Sequence, residues 1–242
     1  MCSIFGIFGL QPGDDLQDLR RQSLELSQRQ RHRGPDWSGV YIDEGGASDG
    51  AILVHERLAI VDPAGGSQPL RSADGGLALA VNGEIYNHRE LKKELEQSYE
   101  FLTGSDCEVI NALYREDEPA SFLNRLNGIF AFALWDKTAA RVLIARDTMG
   151  VCPLYWGHDR EGRLCVASEM KAISGLCADV AQFPPGHFYD SASGELVKYY
   201  ERPWRDYDAV DGVEVDLHEL REAFERAVHR QLMADVPYGG LV

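Results

Sequence analysis

The chain has 242 residues, 44% hydrophobic and 26% charged, with a formal net charge of −15. That length suits one sizeable domain, or one domain plus the start of another, and an acidic balance argues against a nucleic-acid surface, which needs basic clusters. No run of about 18 apolar residues is present and the N-terminus lacks a basic-then-apolar leader, so neither a membrane span nor a secretory signal is expected and a cytoplasmic location is the default. Five cysteines (Cys2, Cys107, Cys152, Cys165, Cys177) without a Cys-x-x-Cys pair fit reduced thiols better than a disulfide framework or a zinc site. Four of them read as buried filler. The seven histidines show no metal-ligand spacing, and no Gly-x-Ser-x-Gly elbow occurs.

In chain order, Ile4-Phe5-Gly6-Ile7-Phe8-Gly9 reads as an apolar strand. Residues 15–31 place Leu16, Leu19 and Leu26 on one helical face, and the helix ends in Arg31-His32-Arg33-Gly34-Pro35-Asp36, where Gly and Pro force a turn. Two arginines and a histidine there could bind an anion or simply tie the loop. A strand over 37–42 leads to a glycine-rich turn at 45–50, then a buried strand over 51–55 running into Glu56-Arg57-Leu58. Another strand, 77–81, runs into Asn82-Gly83-Glu84-Ile85-Tyr86-Asn87. Helical patterns follow at 88–97 and 106–115, separated by Thr103-Gly104-Ser105-Asp106, with Asp106 as the expected N-cap. Hairpins are expected from 129–135 with 142–145 and from 154–156 with 164–167, then a short helix over 168–173 and strands near 187–190 and 196–200. A linker at 202–208 precedes an amphipathic helix over 214–233, through Leu217, Leu220, Phe224, Ala227 and Val228. Hairpins in place of βαβ crossovers imply antiparallel sheets covered by helices, an α+β arrangement.

The chemistry concentrates at Met1-Cys2-Ser3-Ile4-Phe5-Gly6. Were Met1 removed, Cys2 would carry a thiol and an α-amine on one residue, with reference pKa values of about 8.5 and about 7.7–8.0. The amine could then take the thiol proton near neutral pH, a known route to an activated nucleophile. Taken singly, the other candidates have ordinary explanations. Arg57 reads as a salt-bridge arginine, Asp106 as a cap, and Asn82-Gly83 as a type I′ turn.

In their joint order, the N-terminal motif, Arg31-His32-Arg33-Gly34-Pro35-Asp36, His55-Glu56-Arg57-Leu58, Asn82-Gly83-Glu84-Ile85-Tyr86-Asn87 and Thr103-Gly104-Ser105-Asp106 resemble the class II glutamine amidotransferases. Within that group they look most like the glutaminase half of bacterial glutamine-hydrolysing asparagine synthetases, over residues 2–239. The resemblance implies a four-layer αββα sandwich of the N-terminal-nucleophile hydrolase type. It implies Cys2 as nucleophile, with the Asn82 side chain and the Gly83 N–H as oxyanion donors. L-glutamine would be the substrate, its α-carboxylate on Arg57 and its α-ammonium between Glu84 and Asp106. No cofactor is implied for this half. ATP and Mg2+ would belong to a synthetase domain, a partner in cis or in trans.

In that family a segment like Asp235-Val236-Pro237-Tyr238-Gly239 leads into a Ser-Gly-Gly-x-Asp-Ser phosphate loop, whereas here Gly240-Leu241-Val242 follows. The expected organisation is therefore a glutaminase domain at 2–205 and, at 206–242, a linker and the first helix of a truncated ATP-dependent synthetase domain. The apolar face of that helix is a candidate for association, a homodimer included. Part of a longer enzyme, a naturally shortened paralogue and a catalytically idle regulatory or assembly module all remain open, as does a glutaminase half serving a sugar-phosphate or phosphoribosyl acceptor.

Overall fold

The computed structural model describes residues 1–45, 49–212 and 214–240. The turn expected at 45–50 lies partly outside the described residues, as does the Leu241-Val242 end. In chain order the strands are β1 (Ser3–Leu10), β2 (Trp37–Asp43), β3 (Gly50–Arg57), β4 (Leu70–Arg71), β5 (Leu77–Ile85), β6 (Gly128–Asp136), β7 (Arg141–Arg146), β8 (Tyr155–His158), β9 (Leu164–Ala167), β10 (Ala181–Gln182), β11 (His187–Asp190) and β12 (Glu195–Lys198). The helices are α1 (Leu16–Gln28), α2 (His88–Leu95), α3 (Val109–Glu116), α4 (Pro119–Arg125), α5 (Met170–Ile173), α6 (Tyr207–Val210) and α7 (Leu217–Gln231). One six-stranded sheet runs β10-β8-β9-β1-β3-β2 and the other β12-β11-β7-β6-β5-β4. The pairings are antiparallel, and β6–β7, β8–β9 and β11–β12 are hairpins.

Strand alternation sorts the apolar residues into three layers. On β5, Leu77, Leu79 and Val81 face the helices while Ala78 and Ala80 face the opposite sheet. On β6, Phe130, Phe132 and Leu134 take the helical side, and Ala131, Ala133 and Trp135 the inner side. The first sheet repeats the division. Ile4, Phe8, Ala51 and Leu53 point inward, and Phe5, Ile7, Ile52 and Val54 point out toward α1 and α5. Helices α2, α3 and α4 cover the second sheet through Leu91, Leu95, Ile110, Leu113 and Phe122. The layer order is helix, sheet, sheet, helix, as the αββα expectation required. Small alanines across from Ile4 and Phe8 let the two sheets approach closely where β1 and β3 lie over β5.

Local boundaries follow from identifiable groups. Helix α1 starts one residue after Asp15, whose carboxylate accepts from the Gln17 and Asp18 N–H groups. At Gly9 (φ +90°) the β1–β3 register shifts between Phe8 and Leu10, a bulge that turns Leu10 to the helical side. Asn82-Gly83 is no turn. Both residues lie within β5, which runs four residues past the 77–81 segment expected from its apolar run because the polar residues 82 and 84 alternate inward. Asp106 is not the N-cap of α3. It opens a 3-10 turn, Asp106–Glu108, and its carboxylate is drawn instead to the Ile85 N–H at 2.6 Å. Helix α4 went unanticipated, although Pro119 in its first turn is a helix-start signal. Every residue of α7 is exposed, including Leu217, Leu220, Phe224 and Val228.

Replacing Ala133 with Leu inserts three heavy atoms into the close inter-sheet layer. Urea unfolding should report a loss of about 1–3 kcal/mol, and a fully stable variant would show that the alanines do not set the sheet spacing.

Candidate active site

The same alternation that packs the core also builds a polar cluster at one end of the inter-sheet layer. Inward-facing positions on β3 are 51, 53, 55 and 57, and on β5 they are 78, 80, 82 and 84. The apolar residues thus give way to His55 and Arg57 on one sheet and to Asn82 and Glu84 on the other. Cys2 precedes β1, whose Ser3 pairs with Glu56, so it lies level with the end of β3. Its half-buried thiol accepts from the Leu58 N–H at 3.3 Å and donates to the Leu58 carbonyl at 3.5 Å. Burial pushes this thiol above its ordinary pKa and Glu84 adds to the rise, against the lowering effects of the Leu58 backbone, the chain's α-ammonium and Arg57. Because Met1 precedes it here, the Cys2 nitrogen is an amide and that α-ammonium belongs to Met1.

Arg57 is 6% exposed. It donates to the carbonyls of Pro63 (3.2 Å), Val61 (3.2 Å) and Asp62 (2.6 Å). Among the described residues it has no carboxylate partner. A guanidinium has five N–H donors, so a nearly buried cation is left with capacity for an anion. The loop that supplies these carbonyls is organised by Asp62, which adopts φ +47°, a left-handed conformation that Asp tolerates when its side chain bonds locally. The Asp62 carboxylate accepts from the Gly65 N–H (3.0 Å) and from the Gly104 N–H (2.7 Å). One side chain therefore ties the Arg57 loop to the segment carrying Asp106.

On the opposite sheet, Asn82 is fully buried and neither atom of its amide has a protein partner among the described residues. An amide in that position is costly unless something else bonds it. Beside it, both backbone groups of Phe130 are bonded to Asp147, its carbonyl accepting from the Asp147 N–H at 2.8 Å and its own N–H donating to the Asp147 carboxylate at 3.3 Å. Phe130 thus faces away from its cross-strand partner Gly83, and antiparallel geometry then directs the Gly83 N–H off the far edge of β5. Along that edge the Val81 N–H is taken by Gln68 Oε1 (2.9 Å) and the Ile85 N–H by Asp106 Oδ2, with Gly83 between them. Only glycine fits there, since a Cβ would sit 2.1 Å from the Ile129 carbonyl oxygen. Cys107 supports the strand from below, its thiol 3.6 Å from the Gly83 carbonyl.

Asp106 is buried and Glu84, half-buried, stands beside it as an acidic pair. Burial first, then the charge of Asp106 and a hydrogen bond with it, push Glu84 up to about 8. Burial also raises Asp106, offset by the Ile85 N–H and by Glu84. The two effects on one pair agree if Glu84 holds a shared proton and Asp106 stays ionised against its N–H donor.

All six sequence candidates therefore meet at one site. The Arg31 to Asp36 turn divides. Arg31 pairs with the buried Glu56 (2.9 Å) and is structural, whereas Arg33 Nε donates to the Cys2 carbonyl at 3.1 Å and fixes the chain behind the thiol. Leu58 and Asp62 were not singled out in the sequence. Asp62-Pro63 is a turn signal, but nothing local shows that its turn would wrap an arginine. No group of three His, Cys, Asp or Glu side chains able to hold a metal ion occurs among the described residues.

A cysteine at the second residue, set at the end of two facing antiparallel sheets, defines the N-terminal-nucleophile hydrolase fold. Solved structures agree. Glutamine phosphoribosylpyrophosphate amidotransferase from B. subtilis matches with TM-score 0.66 and 26% identity over 83% of this chain and 50% of that one. A structure of the allosteric regulatory enzyme of purine biosynthesis matches with TM-score 0.67 and 27% identity over the same shares. Residues 1–184 match the glutamine amidotransferase domain family, and the chain belongs to it. Among curated relatives it is 53% identical to asparagine synthetase B of Escherichia coli K12, across all of this chain and 42% of that protein. It is 46% identical to asparagine synthetase 2 of Arabidopsis thaliana, across all of this chain and 40% of that one. The chain thus spans about two fifths of the length of these relatives.

The acidic pair has a stability signature. A carboxyl raised from 4.5 to about 8 on folding stabilises the fold fully below its unfolded value and loses that contribution as pH rises through the folded one. Glu84→Gln should therefore gain melting temperature relative to the parent as pH goes from 5 to 8. A difference independent of pH would mean that Glu84 is not the proton holder.

Proposed function

We propose that this chain hydrolyses L-glutamine to glutamate and ammonia, as the ammonia-supplying part of an asparagine synthetase. The observation that carries the reading is the charge pattern around the thiol. A nearly buried arginine without a carboxylate partner among the described residues stands on one sheet, and on the other Glu84 pairs with Asp106 of the adjoining 3-10 turn, complementary to the two charges of a free amino acid. In this reading Arg57 takes the α-carboxylate, and Glu84 with Asp106 takes the α-ammonium, Glu84 releasing its proton as the cation arrives.

Once Met1 is removed, the Cys2 α-amine accepts the thiol proton and the thiolate attacks the side-chain amide carbon. The Asn82 Nδ2–H and Gly83 N–H donate to the resulting oxyanion, each such donor typically contributing about 10²–10³ in rate. Collapse breaks the C–N bond, the ammonium returns its proton to the departing nitrogen, and ammonia leaves a thioester. Water, deprotonated by the same amine, attacks the thioester and expels the thiolate, yielding glutamate. This chemistry needs no cofactor from the chain. Residues 2–205 form the catalytic unit and 206–242 lead toward the synthetase part, which would use ATP, Mg2+ and aspartate. Identity of 53% with a glutamine-hydrolysing asparagine synthetase favours that acceptor over a sugar phosphate.

The deciding experiment is an intact mass taken before and after treatment with a diazo-ketone analogue of glutamine. Loss of the methionine mass and one adduct on Cys2 are expected, with ammonia release reduced at least about 10⁴-fold in Cys2→Ala. Retained Met1, or a processed chain that takes no adduct, would support an idle regulatory module instead. Arg57→Ala should raise KM for glutamine about 10- to 150-fold while leaving kcat nearly unchanged, because it removes binding common to ground and transition states. A large fall in kcat at constant KM would remove Arg57 from carboxylate binding.

A further inference from the structure

Residues 232–240 return from the exposed helix α7 to the edge of the site. Leu232, Met233, Ala234 and Tyr238 line a shared cleft with Tyr86 and Arg89. Asp235 makes two bonds to the Arg57 loop from opposite directions. Its N–H donates to the Ile60 carbonyl at 2.9 Å, and its carboxylate accepts from the Asp62 N–H at 2.9 Å. Asp62 is the residue whose carbonyl receives Arg57 Nη2 and the Gly66 N–H, and whose side chain holds Gly104. The Val61–Asp62 peptide is gripped at both its groups, its C=O by Arg57 Nη2 at 3.2 Å and its N–H by the Asp235 carboxylate, and so keeps its orientation. The Val61 carbonyl could otherwise turn away from the guanidinium, because the left-handed φ of Asp62 that follows it is held only by surrounding contacts.

We propose that Asp235 is a positioning residue for the substrate carboxylate, fastening the 60–62 backbone so that the carbonyl cage holds the Arg57 guanidinium toward the thiol. The role rests on the glutamine reading. Its physical core, the latch on the loop, does not. Helix α7 buries no residue against the sandwich, so Asp235 links whatever fixes α7 in space to the amino-acid end of the site. Displacement of the 214–240 segment would loosen Arg57, and glutamine binding would in return tighten the segment.

Asp235→Ala and Asp235→Asn separate this role from a structural one. Asn keeps a side-chain oxygen acceptor for the Asp62 N–H, while Ala loses it. Hydrogen–deuterium exchange of the full chain should show faster exchange over residues 58–66 in Asp235→Ala and parent-like exchange in Asp235→Asn. Glutamine KM should rise about tenfold in the Ala variant with kcat within about twofold, and the Asn variant should restore most of it. Unchanged exchange at 58–66 would overturn the latch. Faster exchange with unchanged KM, or a fall in melting temperature alone, would overturn the positioning role. If the parent chain bound no glutamine, that result would count against the substrate assignment, and the exchange data would still decide the latch.

Discussion

The site depends on two facing sheets being close together while their strands keep a strict period of two. Inner positions of β5 pass from Ala78 and Ala80 to Asn82 and Glu84, and those of β3 from Ala51 and Leu53 to His55 and Arg57. The alternation that buries small apolar groups in mid-sandwich therefore delivers polar groups from both sheets into one space at its end. A slip of one residue in β5 would turn Asn82 and Glu84 into the helical layer and dismantle core and site together. His55 helps hold the register, bridging the sheets through Nε2 to the Val81 carbonyl at 2.9 Å, next to Asn82. Burial lowers its pKa to about 4, so it stays neutral and keeps that bridge across the working pH range.

Around this frame the site holds charges and polar groups that the described residues do not fully compensate. Arg57 is neutralised by carbonyl dipoles rather than by a carboxylate, Asn82 has an unbonded amide, and Glu84 and Asp106 share a low-dielectric pocket. Each is unfavourable alone. In the proposed reading they match a zwitterionic ligand whose two charges lie at one end and whose amide reaches the thiol. Selectivity would follow, because an amide without the amino-acid charges would leave the same groups unpaired.

The fold places Asn82 and Gly83 on a strand and Cys2 just before one, whereas the Arg57 guanidinium is caged by a loop. The 58–66 loop is fixed by side chains that are distant in sequence, with Gly104 bonded to the Asp62 side chain and Asp235 bonded to the Asp62 N–H. In the proposed reading, this division gives a module whose chemistry is built in and whose substrate grip responds to the segment leading away from it. Such an arrangement suits a chain that spans 42% of the E. coli relative's length.

The sequence by itself picked out Cys2, Arg57, Asn82, Gly83, Glu84 and Asp106 as candidates through short ordered motifs, and the family resemblance of those motifs implied the layered fold, which periodicity alone indicated only as antiparallel sheets covered by helices. It also exposed the apolar stripe of α7. It did not show that Asn82-Gly83 is mid-strand, since Asn-Gly favours turns locally and only the pairing with Ala131 and Phe130 holds the pair extended. Nor could it distinguish a helix-capping Asp106 from one aimed at the Ile85 N–H, a contact 21 residues away that wins because the strand edge offers a buried donor. Only the tertiary structure shows the contacts of Leu58, Asp62 and Asp235. They join backbone groups to partners up to 173 residues apart, and hydrogen bonding between such distant groups leaves no periodic trace in a sequence.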